Sequence, residues 1–65
     1  MSEDRTYEMS CIFITETDNA VLIEDPVTGD EHWIPLSQVD RMDKDKNKHG
    51  TIVMTEWIAK KKGLC

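Results

Sequence analysis

Residues 45–56 carry the spacing of a calcium-binding EF-hand loop, with Asp45 first, Asn47 third, Gly50 sixth, Ile52 eighth and Glu56 twelfth. The chemistry between those positions opposes it. His49 fills the fifth position, where a hard cation wants oxygen, and Val53 offers no ligand at the ninth. Lys46 and Lys48 add two positive charges beside the ion. EF-hands work in pairs, and the chain has no second loop of this kind. The expectation is instead a hairpin loop closed by Gly50, with Glu56 starting a helix.

Other reactive residues are scattered. His32 and His49 could join Cys11 or Cys65 on a transition metal, but no spacing resembles the clustered pairs of a zinc site. A nucleophilic site needs Ser or Cys beside a positioned base. Cys11 lies in the most apolar stretch and is expected to be buried, and Cys65 is the last residue. The paired carboxylates Glu24-Asp25 and Asp30-Glu31 flank a turn and read as a solvated acidic rim. No enzyme activity, metal or cofactor is expected.

Charge is more informative than reactive groups. The 65 residues carry a net charge of −5. Residues 1–40 hold ten acidic residues against one arginine, and residues 41–65 hold three against seven Lys and Arg. An acidic chain is repelled by nucleic-acid phosphates, which disfavours that partner. The acidic face of Glu24, Asp25, Asp30 and Glu31 suits a basic protein surface. The competing reading uses the basic end. Arg41, Lys44, Lys46, Lys48, Lys60, Lys61 and Lys62 would track a single strand, with Trp33 or Trp57 stacking on bases.

The elements that must position these residues follow from local pattern. Residues 7–17 form a strand with Met9, Cys11 and Phe13 on one side and Ile12 and Ile14 on the other. Asp18-Asn19 marks a turn, and residues 20–24 form a second strand. Residues 25–30, Asp-Pro-Val-Thr-Gly-Asp, are a strong hairpin signal, with Gly29 free to take the left-handed conformation. A third strand runs over 31–36. Pro35 cannot donate to a ladder, so this strand lies at a sheet edge or ends there. Residues 37–42 read as a short turn of helix, 40–50 as a charged loop and 51–54 as a fourth strand.

The last segment is the clearest. Thr55 is a good N-cap, Glu56 suits the positive helix start, and Lys60, Lys61 and Lys62 suit the negative end. Gly63 fits the position after the C-cap, with Leu64 making the following apolar contact. A helix over 55–63 is too short to stand alone, so Trp57 and Ile58 are expected to pack it onto the sheet. Buried there, Trp57 would cover roughly 200 Å². The expected core is Met9, Cys11, Phe13, Val21, Ile23, Ile34, Ile52, Met54, Trp57, Ile58 and Leu64.

Two segments carry a resemblance. Trp33-Ile34-Pro35-Leu36-Ser37-Gln38-Val39 and the run from Thr55 through Glu56-Trp57-Ile58-Ala59-Lys60-Lys61-Lys62-Gly63-Leu64 resemble a group of small bacteriophage and prophage proteins. The resemblance implies a phage-related origin and a host-cytoplasm setting. It implies no activity, cofactor or catalytic residue.

The expected fold is therefore mainly β, an antiparallel four- to five-stranded SH3-like or OB-like barrel with a short C-terminal helix. Residues 1–6 are expected to be disordered and 7–65 to form one domain. Residues 1–6 are too polar to open a secretory leader, and no run is long enough to span a membrane, so the expected compartment is the cytoplasm. The expected role is a phage-type accessory module. It would bind a host or phage protein through the acidic face and inhibit a nucleic-acid enzyme or defence protein. A second copy pairing through an exposed strand is the further possibility.

Overall fold

The computed structural model describes residues 5–45 and 47–64. Five antiparallel strands form one sheet: β1 Thr6–Glu16, β2 Ala20–Glu24, β3 Glu31–Pro35, β4 Val39–Lys44 and β5 His49–Thr55. A 3-10 turn, Leu36–Gln38, joins β3 to β4, and helix α1, Glu56–Lys61, follows β5. The sheet order is β3-β2-β1-β5-β4, so the long strand β1 lies at the centre. β3 and β4 are both edges. The mainly β fold with a C-terminal helix is present, but the closed barrel is not, because no ladder joins β3 to β4.

One face of the sheet makes the core. Cys11, Phe13, Val21, Ile23, Ile34, Ile52 and Met54 are buried together with Ile58 and Ala59 of α1. Tyr7, Met9, Leu36, Val39, Met42 and Leu64 pack half-buried around them. A bulge between Phe13 and Thr15 lets β1 curl, with Ile12 and Ile14 half-buried on its other face. Residues 5 and 6 belong to the fold: Thr6 opens β1, and the Arg5 carbonyl accepts the Glu56 N–H at 3.1 Å. Residues 1–4, the rest of the segment expected to be disordered, lie outside the described residues.

Residues 37–42 are not a turn of helix, and 40–50 are not all loop. The 3-10 turn ends at Gln38, and β4 takes Val39 through Lys44. The reason is a second bulge, between Val39 and Arg41. The extra residue puts Val39 and Met42 on the same side of β4, where both meet the core. A spacing of three between apolar residues otherwise reads as helical.

Trp57 is the other correction. It is 56% exposed and is not part of the core. In so short a helix one narrow stripe faces the sheet, and here it is Ile58 and Ala59. Trp57 and Lys61 share the outer side, one turn apart, with the Lys61 ammonium 5.0 Å from the ring centroid.

The ends of α1 form as their residues dictate. Thr55 Oγ1 accepts the Ile58 N–H at 3.3 Å and donates to Gln38 Oε1 at 2.7 Å. At the other end Gly63 N–H reaches the Lys60 carbonyl and Leu64 N–H reaches the Ala59 carbonyl, a Schellman closure with Gly63 at φ +75°.

Candidate functional site

The β2–β3 hairpin gathers the four acidic residues. Its turn is built by Asp25, whose carboxylate Oδ1 accepts the Val27 N–H at 2.9 Å while its carbonyl accepts the Gly29 N–H at 2.7 Å. Gly29 has φ +82°, the conformation that its position in the turn demands. Asp25 N–H to the Asp30 carbonyl, 2.8 Å, then closes the ladder. Immediately inside it, Glu24 stands opposite Glu31.

The ladder fixes how close those two side chains come. Asp25 bonds to Asp30 at one end, and Leu36 N–H bonds to the Asn19 carbonyl at the other. The register between them is unbroken. Antiparallel ladders alternate, so Val21–Ile34 and Ile23–His32 are the hydrogen-bonded pairs. Glu24–Glu31, Leu22–Trp33 and Ala20–Pro35 are the non-hydrogen-bonded ones. In such pairs the Cα atoms are about 4.5 Å apart and the side chains closest. Two carboxylates therefore face each other at the tighter kind of rung, an arrangement that destabilises a sheet. No ion pair among the described residues involves Glu24, Asp25, Asp30 or Glu31.

The next rung adds an apolar neighbour. Ile34 and Val21 point into the core, so Trp33 and Leu22 lie on the outer face, as do Glu31 and Glu24. Trp33 is 44% exposed. The sequence sets Trp33 two residues from Glu31 but does not by itself pair it with Leu22. The alternation of Leu22 against Val21 and Ile23 was the available signal.

The basic residues are not gathered in the same way. Arg41 and Lys44 lie on β4, at the opposite edge of the sheet from Trp33 on β3. Lys48 is in the β4–β5 loop, Lys60 and Lys61 are in α1, and Lys62 is its C-cap. Lys46 lies outside the described residues. Several have local partners: Arg41 with Asp43 at 3.6 Å, Lys60 with Glu56 at 3.8 Å, and Lys44 over the Phe13 ring at 5.7 Å. A cleft of about 280 Å³ between β1, β2 and the β4–β5 loop includes Lys44 and Lys48, but Glu16 and Asp45 line it too.

The calcium-loop residues fold as a hairpin. Asp45 Oδ1 accepts the N–H groups of Asn47 at 2.8 Å and His49 at 3.1 Å, and Lys48 takes φ +67°. Gly50 is needed for close approach, since a Cβ there would meet the Asp43 carbonyl oxygen and the Lys44 Cα. Asp45 and Glu56 flank the extended strand β5, whose rise of about 3.3 Å per residue sets them roughly 20 Å apart. They cannot share one ion. Among the described residues no three His, Cys, Asp or Glu side chains are grouped to hold a metal.

Cys11 is buried, and that burial pushes its thiol from 9.0 up to about 11. It is a core residue with almost no thiolate near neutral pH. Cys65 lies outside the described residues. No helix among the described residues is long and apolar enough to cross a membrane. No family model matches the chain, and comparison with curated proteins and with solved structures found no match.

Proposed function

We propose that the protein is a non-enzymatic interaction module that binds a basic protein surface through the outer face of the β2–β3 hairpin. The observation that carries this is the Glu24–Glu31 pair beside exposed Trp33. Like charges at a close rung cost stability, and a basic partner would relieve that cost on binding. Tryptophan is also enriched among the anchors at the centres of protein interfaces, inside a polar rim. The phage resemblance implies a host-cytoplasm setting. The role proposed there is an accessory protein acting on a host or phage protein, with the carboxylates of the acidic face imitating nucleic-acid charge against a nucleic-acid enzyme or defence protein.

The test is affinity capture from the host cytoplasm with the wild type and with Glu24→Lys/Glu31→Lys. The paired reversal is expected to lose the partner. The reversed pair again sets like charges opposite one another, so its stability is expected to stay near that of the wild type and lost capture is not lost folding, while the single Glu31→Lys change is expected to raise stability by roughly 0.2–1 kcal/mol. Recovery of the same partner by both proteins would rule out this face as the contact.

One observation favours a second reading. Trp57 is exposed beside lysines, the composition of a base-stacking surface on single-stranded nucleic acid. The Lys61 side chain already covers its ring, and the net charge of −5 opposes the approach of phosphates. Tryptophan fluorescence titrated with an oligonucleotide at low salt separates the readings. Quenching that salt reverses would support nucleic acid, and a flat titration would count against it.

A further inference from the structure

The alternation that brings Glu24 against Glu31 has a second consequence at the backbone. If His32 and Ile34 bond to β2, then Glu31, Trp33 and Pro35 turn their main-chain groups away from it. β3 is an edge strand, so those groups face outward along the open side of the sheet. Glu31 and Trp33 each present an N–H and a C=O there. Pro35 has no N–H and presents a C=O alone, which fits proline at an edge and ends the donor row. Unpaired edges are ready templates for another strand, and proteins blunt them with charged side chains, proline and short length. Glu31 and Pro35 guard this five-residue edge against a second copy of the acidic chain, and Glu31 favours a segment of opposite charge.

We infer that β3 is the seat of a strand-addition site, taking an extended basic segment of a partner protein antiparallel along Glu31, Trp33 and Pro35. The inference rests on the acidic-face reading and specifies how that face is used. An antiparallel strand would exchange two hydrogen bonds with Glu31 and two with Trp33. The residues opposite them share their outward face. A basic side chain opposite Glu31 meets the Glu24–Glu31 pair, and an arginine two residues along lies over the Trp33 ring. The intervening residues point to the other side, continuing the row of Ile34 and His32, and are best apolar. The segment recognised is therefore one in which arginine or lysine alternates with β-branched apolar residues. Charge selects the class of segment, and the main chain supplies the register.

The experiment uses the full chain and a capped synthetic peptide of alternating arginine and valine. Two variants of the peptide carry N-methyl groups, one on the arginine amides and one on the valine amides. In antiparallel addition the arginine amides bond to β3 and the valine amides face solvent. Methylating the arginine amides is expected to weaken binding roughly tenfold or more, and methylating the valine amides to leave it near the unmodified value. Amide exchange at Glu31 and Trp33 should slow by about the same factor on binding, while the His32 and Ile34 amides stay protected throughout. Equal binding by both methylated peptides overturns strand addition and leaves the acidic face standing as a charge-only contact. No binding of the unmodified peptide at low salt overturns the inference as well. Concentration-dependent protection of Glu31 and Trp33 without peptide also overturns it, because the edge is then occupied by a second copy. The broader reading fails separately, by capture that survives Glu24→Lys/Glu31→Lys.

Discussion

At the scale of single residues, burial decides what Cys11 and Trp57 contribute. The Cys11 thiol titrates near 11 in the folded chain and near 9.0 when released. Above that lower value the unfolded state gives up its proton first, so it binds fewer protons than the native state. Stability from this group is whole below pH 9 and falls as pH rises towards 11. The loss should reach roughly 2–3 kcal/mol, and comparing urea unfolding of the wild type with Cys11→Val from pH 8 to 11 isolates it from lysine titration. Trp57 looks by composition like the lid of the core, for which truncation would cost about 3–5 kcal/mol. On the outer side of α1 it loses mainly the Lys61 contact, so Trp57→Ala is expected to cost under about 1 kcal/mol and to leave a cooperative melt. Its tryptophan fluorescence should be quenched by iodide in the native state. Residue type could not settle this, because Trp57 and Ile58 are neighbouring apolar residues and the rotation of the helix that turns Ile58 and Ala59 to the sheet turns Trp57 away from it.

At the scale of elements, local signals were reliable where the residues act on their own backbone. The β2 limits, the Gly29 hairpin, the Thr55 cap and the Gly63 closure were all legible, since each depends on a side chain or a φ angle within a few residues. Elements defined by distant partners were not. β4 carries only Val39 and Met42 as apolar residues, and the bulge that aligns them exists only through pairing with β5. The start of β5 was hidden for the same reason: His49 and Gly50 pair with Ile12 and Cys11, far away in the chain. Thr55 shows how the two kinds of signal meet. Its hydroxyl caps α1 and also holds Gln38, tying the helix to the 3-10 turn. Thr55→Ala removes both bonds and is expected to lower stability by about 1–2 kcal/mol, measured as a lower denaturant midpoint with an unchanged slope.

At the scale of the whole molecule, a chain of 65 residues has one core and little to spare. Total stability should be roughly 3–10 kcal/mol. Ile58 and Ala59 belong to that single core, and the Arg5 carbonyl and Glu56 join the two ends of the described chain. Ending the chain after Thr55 is therefore expected to abolish cooperative unfolding in circular dichroism, rather than to release a stable sheet. The sequence by itself determined the mainly β class, most of the core, the hairpin turns and both caps of the helix, because alternation, proline, glycine and capping side chains act over a few residues. It also marked the acidic hairpin and, through Pro35, an edge strand. Only the tertiary structure decided that the sheet stays open, that Trp57 faces outward, and that Glu24, Glu31, Leu22 and Trp33 form one surface along an edge strand. Those outcomes depend on register and strand order, which are set by pairing between distant segments and by which apolar faces the one small core can accept.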